Sequence, residues 1–297
     1  MSPYLPKLKR VLVLTPDSIG STFFQRSLTL FLNMNGIPTK NYHDLAVFAP
    51  DLNSLVDVLT TSTNSTIARV SPYRSEEFGE RKDLYLKFCN IFFTEVYTID
   101  RCSFESAISY CNRRLTDSRL NVYSKKEYLD NEVTTPYGIP IRYFISSLKY
   151  FEDFYVWVDK YFPNHKKINH DDIIQNTDTT YRDMFRVHNN LDYSIVDYNK
   201  FNFLRVRSQD SDSYLKEKVF NYINVNEQIQ ELVNNNLLPP MGPFPIKKIT
   251  LEEKTNKIIN FKELLDIYNK YPSNHFAKIS EEQITNRIQE EQLFWTT

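Results

Sequence analysis

The first uninterrupted apolar run of the chain is Val11-Leu12-Val13-Leu14, the composition of a strand covered on both faces. It gives way to a loop, Thr15-Pro16-Asp17-Ser18-Ile19, and then to Gly20-Ser21-Thr22. Phe24, Leu28, Phe31 and Leu32 follow at i, i+4, i+7 and i+8, one face of a helix that starts at Gly20-Ser21-Thr22. A second strand-like run, Ile37 to Tyr42, ends at His43-Asp44. Residues Asp51 to Thr66 are polar, with helical spacing at Leu52, Leu55, Val56 and Leu59. The next strand, Thr94 to Asp100, ends at Arg101. Ser103 then suits an N-cap, Glu105 lies in the first turn, and Phe104, Ala107, Ile108 and Cys111 make a helical core stripe. Arg142 to Phe162 is a longer helix with Phe144, Leu148, Phe151, Tyr155, Val158 and Phe162 on its buried face; burial statistics favour a core role for these aromatics over a sugar platform. Alternating strands and helices predict an α/β protein, a three-layer parallel sheet flanked by helices.

The same pattern sets the expected organisation. Residues 1–180 read as the α/β core, interrupted from Leu120 to Pro140 by an irregular insert of the kind that covers active sites. Residues 181–238 read as a helical continuation, with a helix from Tyr214 to Leu238 stopped by Pro239-Pro240. Residues 239–297 open with a rigid Pro-rich linker, Pro239 to Pro245, and carry amphipathic helical patterns at Leu251–Asn269 and Ser280–Phe294. The second pattern is N-capped by Ser280, with Glu281 and Glu282 in its first turn. This tail is a candidate for packing on the core, for self-association into a homo-oligomer, or for docking a partner.

Composition narrows the classes. The 297 residues carry a net charge of −1, with a sequence pI near 6.5, so a broad basic nucleic-acid footprint is not expected. Cys89, Cys102 and Cys111 have no paired spacing, which argues against a disulfide scaffold or a zinc site and suits a reducing cytoplasm. Neither a signal-peptide apolar region nor a membrane-spanning run is read in the sequence.

The chemistry is concentrated at two strand ends. A loop that ends in Gly-Ser-Thr at a helix N-terminus suits an anion, because backbone N–H groups and the helix dipole point at it and Gly20 allows close approach. It is not a Walker A loop: no Gly stands upstream and no Lys follows Gly20. A plain N-cap at Ser21 with a turn at Gly20 explains the stretch equally well. Arg101 after the second strand suits a phosphate through its planar fork, and Ser109 lies two turns into the following helix. Alone, Arg101 also reads as a surface ion pair and Ser109 as a solvated helix position.

Together these residues resemble the sulfotransferase superfamily, whose donor is 3′-phosphoadenosine 5′-phosphosulfate (PAPS). Pro16 to Phe24 is similar to the family's 5′-phosphosulfate loop, and Arg101 and Ser109 match the spacing of its 3′-phosphate motif. The likeness is nearest to sulfotransferase-like proteins of large tailed phages of cyanobacteria and covers about residues 1–175. It implies a P-loop-like, sulfotransferase-type sheet and a donor held by Ser18, Gly20, Ser21, Thr22, Phe23, Arg101 and Ser109. It also implies sulfuryl transfer from PAPS, which leaves as 3′,5′-bisphosphoadenosine (PAP), to a hydroxyl or amine of a glycan, lipid or protein, without a metal. For a phage-encoded protein the setting would be the host cytoplasm. His43, oriented by Asp44, is the candidate base. The chain departs from the family where a loop Lys or Arg normally precedes the Gly: Ser18 stands there. Arg26, Arg69 or Arg74 is then the candidate cation, and Glu76 and Glu77 are acidic alternatives to His43. Ile168 to Ile173 is similar to a late family stretch that would set His170 near the adenine; a solvated turn capped by Asp171 or Asp172 is the plainer reading. The alternative to an enzyme is a weak or inactive member kept as a nucleotide-binding or interaction module. A nucleoside kinase would need a phosphate-binding Lys and a magnesium carboxylate, and neither is in place.

Overall fold

The computed structural model describes residues 8–17, 19–34, 37–42, 44–72, 76–115, 136–175, 180–181, 183–184, 230, 234 and 251–296. They fall into two compact units, one from residues 1–100 with 154–199, the other from 101–153 with 200–297.

The first unit is built on five strands: β1 (Arg10–Leu14), β2 (Thr39–Tyr42), β3 (Ser65–Val70), β4 (Glu95–Asp100) and β5 (Lys166–Asn169). They form one parallel sheet in the order β2-β3-β1-β4-β5. The apolar run that predicted β1 is explained by its place. β1 is central, paired from Arg10↔Thr66 to Leu14↔Val70 on one side and from Val11↔Glu95 to Leu14↔Thr98 on the other. Its alternate residues feed two cores. Leu12 and Leu14 join Ala68, Val70, Leu55, Leu59, Tyr85, Leu86, Phe154, Val158 and Phe162. On α1 (Ser21–Met34), Phe24 meets Tyr97 at 6.4 Å between ring centroids and Tyr181 at 5.8 Å. Tyr181 is fully buried, and its hydroxyl lies 2.6 Å from Ser27 Oγ. Each fully buried large apolar side chain contributes about 1.5–3 kcal/mol.

The remaining elements of this unit are α2 (Leu45–Phe48), α3 (Leu52–Thr60), a 3-10 turn (Glu76–Arg81) and α4 (Lys82–Phe92). Two further helices follow β4 along the chain: α5 (Ser103–Leu115) and α6 (Ile141–Tyr161). The unit boundary falls inside α6, between Asp153 and Phe154. A short helix, α7 (His170–Gln175), follows β5 directly. Asp51 caps α3 by accepting from the Ser54 N–H at 2.8 Å, so the helical spacing read at Leu52, Leu55 and Leu59 is realised.

The second unit is organised around Phe104 of α5, whose ring meets Phe144, Phe261 and Tyr268 at 6.0, 5.3 and 5.3 Å. The pattern at Leu251–Asn269, expected as one helix, is two: α8 (Leu251–Lys257) and α9 (Phe261–Lys270). The break has a physical cause. Ile258 leaves the helix to bridge Tyr137, whose backbone bonds Lys257 O and Ile259 N, each at 2.9 Å. Asn260 clamps both backbone groups of Ile139 at 2.9–3.0 Å. A tertiary backbone pairing outcompetes an apolar period that runs through it. The last helix, α10 (Glu281–Thr296), begins as expected: Ser280 Oγ accepts from Gln283 N at 3.1 Å and Gln283 Oε1 from Ser280 N at 2.8 Å, a reciprocal capping box. The insert at 120–135, the helix expected at Tyr214–Leu238 (Gln230 and Asn234 apart) and the Pro-rich linker lie outside the described residues. None of the described helices is long and apolar enough to cross a membrane.

Candidate functional site

In the first unit β2 and β3 lie on one side of β1, while β4 and β5 lie on the other. The chain therefore reverses direction across the sheet at the carboxyl end of β1, the place where open parallel sheets bind ligands. The Thr15–Gly20 loop leaves β1 at that point. Thr15 N extends the pairing to Val70 O at 3.3 Å, and the loop then turns.

Gly20 makes the turn, with φ at +89°. Its carbonyl accepts the first helical bond from Phe24 N at 3.0 Å. Gly20 thus takes the capping position that the plain reading gave to Ser21, and Ser21, Thr22 and Phe23 form the first turn of α1. Backbone N–H groups in that turn have no intrahelical acceptor, as an anion cradle requires. Space here is fixed by His170: a Cβ on Gly20 would stand 3.1 Å from both Cδ2 and Nε2 of its ring. Asn169 Oδ1 accepts from Asp171 N at 2.8 Å and turns the chain into α7. The imidazole that follows keeps Nδ1 at 3.3 Å from Asp171 Oδ1 while its other edge faces the glycine. The stretch from Ile168 to Ile173 so reaches the loop across the sheet, and its cap is Asn169 rather than either aspartate.

The expected catalytic groups divide. Arg26 is partly buried on α1, one turn beyond Thr22. His43, Ser18 and Arg74 lie outside the described residues, as do the side chains of Glu76 and Glu77. Asp44, expected to orient His43, stands against Arg69, with Oδ2 to Nη2 at 3.4 Å and side chains only 11% and 16% exposed. A pair so sheltered is weakly screened, so Arg69 has a carboxylate for a neighbour where an anion was expected.

The second unit holds Arg101 and Ser109. Arg101 Nη2 stands 3.9 Å from Glu105 Oε2, one turn along α5. Arg287 of α10 donates through Nε to Glu105 Oε1 at 2.5 Å. Lys254 of α8 donates through Nζ to Ser109 Oγ at 2.9 Å. Burial works against the charge on Glu105, but Arg101, Arg287 and Lys254 outweigh it and hold the carboxyl below its ordinary range. Burial, then the Glu105 charge, push the Cys102 thiol up, so it is no thiolate nucleophile. Lys254 and Arg287 were not singled out in the sequence. Each belongs to an amphipathic helical pattern, and only tertiary packing brings it to α5.

A third grouping has catalytic residue types but structural geometry. Ser273 Oγ accepts from the backbone N–H groups of His275 and Phe276 at 3.0 and 3.1 Å and bonds Glu152, which also takes His275 Nδ1 at 2.8 Å. The serine anchors a turn and bonds a carboxylate rather than the imidazole. Among the described residues no group of three or more His, Cys, Asp or Glu is placed to hold a metal. No family model matches the chain, and no curated protein matches it.

Proposed function

We propose that the protein is a PAPS-dependent sulfotransferase with a P-loop-like, sulfotransferase-type sheet. The observation that carries this reading is the left-handed turn at Gly20, set at the carboxyl edge of the central strand where strand order reverses. In this reading the N–H groups of Ser21, Thr22 and Phe23, with Ser18, hold the 5′-phosphosulfate, and Arg101 and Ser109 take the 3′-phosphate. The acceptor oxygen or nitrogen bonds to sulfur as the bond from sulfur to the bridging phosphate oxygen breaks. That oxygen leaves with the electron pair, as part of PAP, and a base takes the acceptor proton. His43 is the candidate base and Arg26 the candidate cation for the leaving phosphate. The acceptor class is a hydroxyl or amine of a glycan, lipid or protein.

A second reading, a nucleotide-binding module with little or no transfer activity, is favoured by one feature. The Thr15–Gly20 loop contains no Lys or Arg, and Arg69, one of the candidate cations, is paired with Asp44. The deciding experiment is the thermal shift of the full chain with PAP, compared with AMP and with ATP plus magnesium. Ligands that bind only the folded state raise its melting temperature by mass action. A PAP-selective shift without metal supports the donor site, and release of PAP from PAPS then separates enzyme from module. A preference for ATP with magnesium would refute the sulfotransferase reading.

A further inference from the structure

We infer that Asp44 is an internal competitor of an anion bound at the Gly20 loop: its carboxylate holds Arg69, and the bound anion takes Arg69 from it. That this anion is the 5′ group of the donor rests on the proposed function. The sheet sets the geometry. Val13 of β1 pairs with Arg69 of β3 on one side and with Tyr97 of β4 on the other, so the three side chains form a row on one face. Phe24 of α1 packs on Tyr97, so this is the face that α1 covers. Arg69 thus shares a face with the helix whose first turn forms the cradle. It lies one residue before the end of β3, and Thr15 at the start of the loop is bonded to the next residue, at Val70 O. The contact with Asp44 satisfies Arg69 poorly. Among the described residues the guanidinium meets Asp44 through Nη2 alone, at 3.4 Å, and its Nε is buried without an acceptor. A guanidinium carries five donors in a fork that two oxygens of one phosphate or sulfate match, so a bound tetrahedral anion offers it more than Asp44 does. Asp44 also has another place to go. It stands at the N-cap of α2 with extended φ and ψ of −140° and 108°, yet its side chain makes no capping bond. Once Arg69 turns to the anion, that carboxylate can cap α2, as aspartate commonly does.

The test is calorimetric titration of the full-length protein, Asp44→Asn, Arg69→Gln, the double variant and an exposed-charge control, Asp57→Asn, with PAP and with AMP, which share the 5′-phosphate. Asp44→Asn is expected to tighten both nucleotides about fivefold, the worth of one partly exposed ion pair. Arg69→Gln is expected to weaken both about tenfold, the loss of one charge-assisted hydrogen bond. The double variant should bind like Arg69→Gln, because without the guanidinium there is nothing to compete for. Asp57→Asn should leave both unchanged. If a variant fails to fold by circular dichroism, Asp44→Ser or Arg69→Met replaces it. An Asp44→Asn protein that binds no tighter than wild type overturns the inference and leaves the donor reading standing. So does equal tightening in the Arg69→Gln background or in Asp57→Asn, which would be general relief of negative charge, and so does an effect confined to PAP, which would put Arg69 at the 3′-phosphate. If neither wild type nor Asp44→Asn binds a nucleotide, the donor reading falls, and titration with inorganic pyrophosphate decides. Binding tighter in Asp44→Asn and lost in Arg69→Gln keeps the competition; any other result removes it.

Discussion

Gly20→Ala is the sharpest test of how the loop is built, because two separable terms oppose the methyl group. The backbone term comes from φ at +89°, where a residue with a Cβ is strained by roughly 1–2 kcal/mol. Alanine recovers about 0.4–1 kcal/mol by narrowing the unfolded ensemble. The steric term comes from His170, whose Cδ2 and Nε2 would lie 3.1 Å from the new Cβ. The ring must retreat by a few tenths of an ångström and loosen its 3.3 Å contact with Asp171, at a cost of about 0.5–1 kcal/mol. The net loss is about 1–2 kcal/mol. In chains of 150–250 residues each kcal/mol lowers the melting temperature by about 2–4 °C, so a fall of several degrees is expected. The assay is thermal denaturation of wild type, Gly20→Ala, His170→Ala and the double variant. In the His170→Ala background the alanine should cost only the backbone term, and the difference between the two Gly20→Ala effects measures the contact. A Gly20→Ala protein that melts at or above wild type would refute the left-handed turn. Identical effects in both backgrounds would remove His170 from the loop.

Arg101→Ala should weaken PAP far more than AMP in the same titrations; equal losses would withdraw the 3′-phosphate assignment. Glu105 is held ionised below its ordinary value of 4.5, so it contributes stability at neutral pH that disappears as pH falls through its lowered folded-state value. Urea denaturation from pH 6 to pH 3 should show this decline, and Glu105→Gln should flatten it; an unchanged profile would mean that the cations do not act on Glu105. Tyr181→Phe removes the hydroxyl 2.6 Å from Ser27 Oγ and should cost about 1 kcal/mol by denaturation, since Ser27 keeps its bond to Phe23 O. A loss well above that would show that the hydroxyl also serves Phe24 O, which lies 3.4 Å away. Ser280→Ala breaks the capping box and should cost about 1 kcal/mol, read as faster amide exchange at the start of α10.

What could be read in the sequence is what the backbone dictates locally. The apolar run at Val11–Leu14 marked the central strand because burial on both faces requires it. The stripe Phe24, Leu28, Phe31 and Leu32 marked α1, and Ser280 marked the start of α10. The break at Ile258 was hidden, since nothing within Leu251–Asn269 announces a bridge to Tyr137. The side chains that give the candidate sites their charge were hidden for the same reason. Lys254 meets Ser109 across 145 residues, and Arg287 meets Glu105 across 182.

The loop after β1 shows why this distinction matters for function. Read along the chain, Thr15 to Gly20 lacks the cation that its resemblance calls for, and the deficit argues for an inactive module. Read in the fold, the surface facing Gly20 belongs partly to His170, delivered from the far end of β5 and steadied by Asp171. An imidazole nitrogen that carries a proton is a hydrogen-bond donor, so a donor absent from the loop's own sequence can come from its surroundings. In the proposed reading, donor binding at the loop turns on whether a bound anion engages the Nε2 edge of His170, and PAP affinity in His170→Gln reports it directly. A loss of about tenfold would place an imidazole donor where the family keeps a loop Lys or Arg. Unchanged affinity would leave the loop with its backbone N–H groups and the helix dipole, and would favour the module over the enzyme.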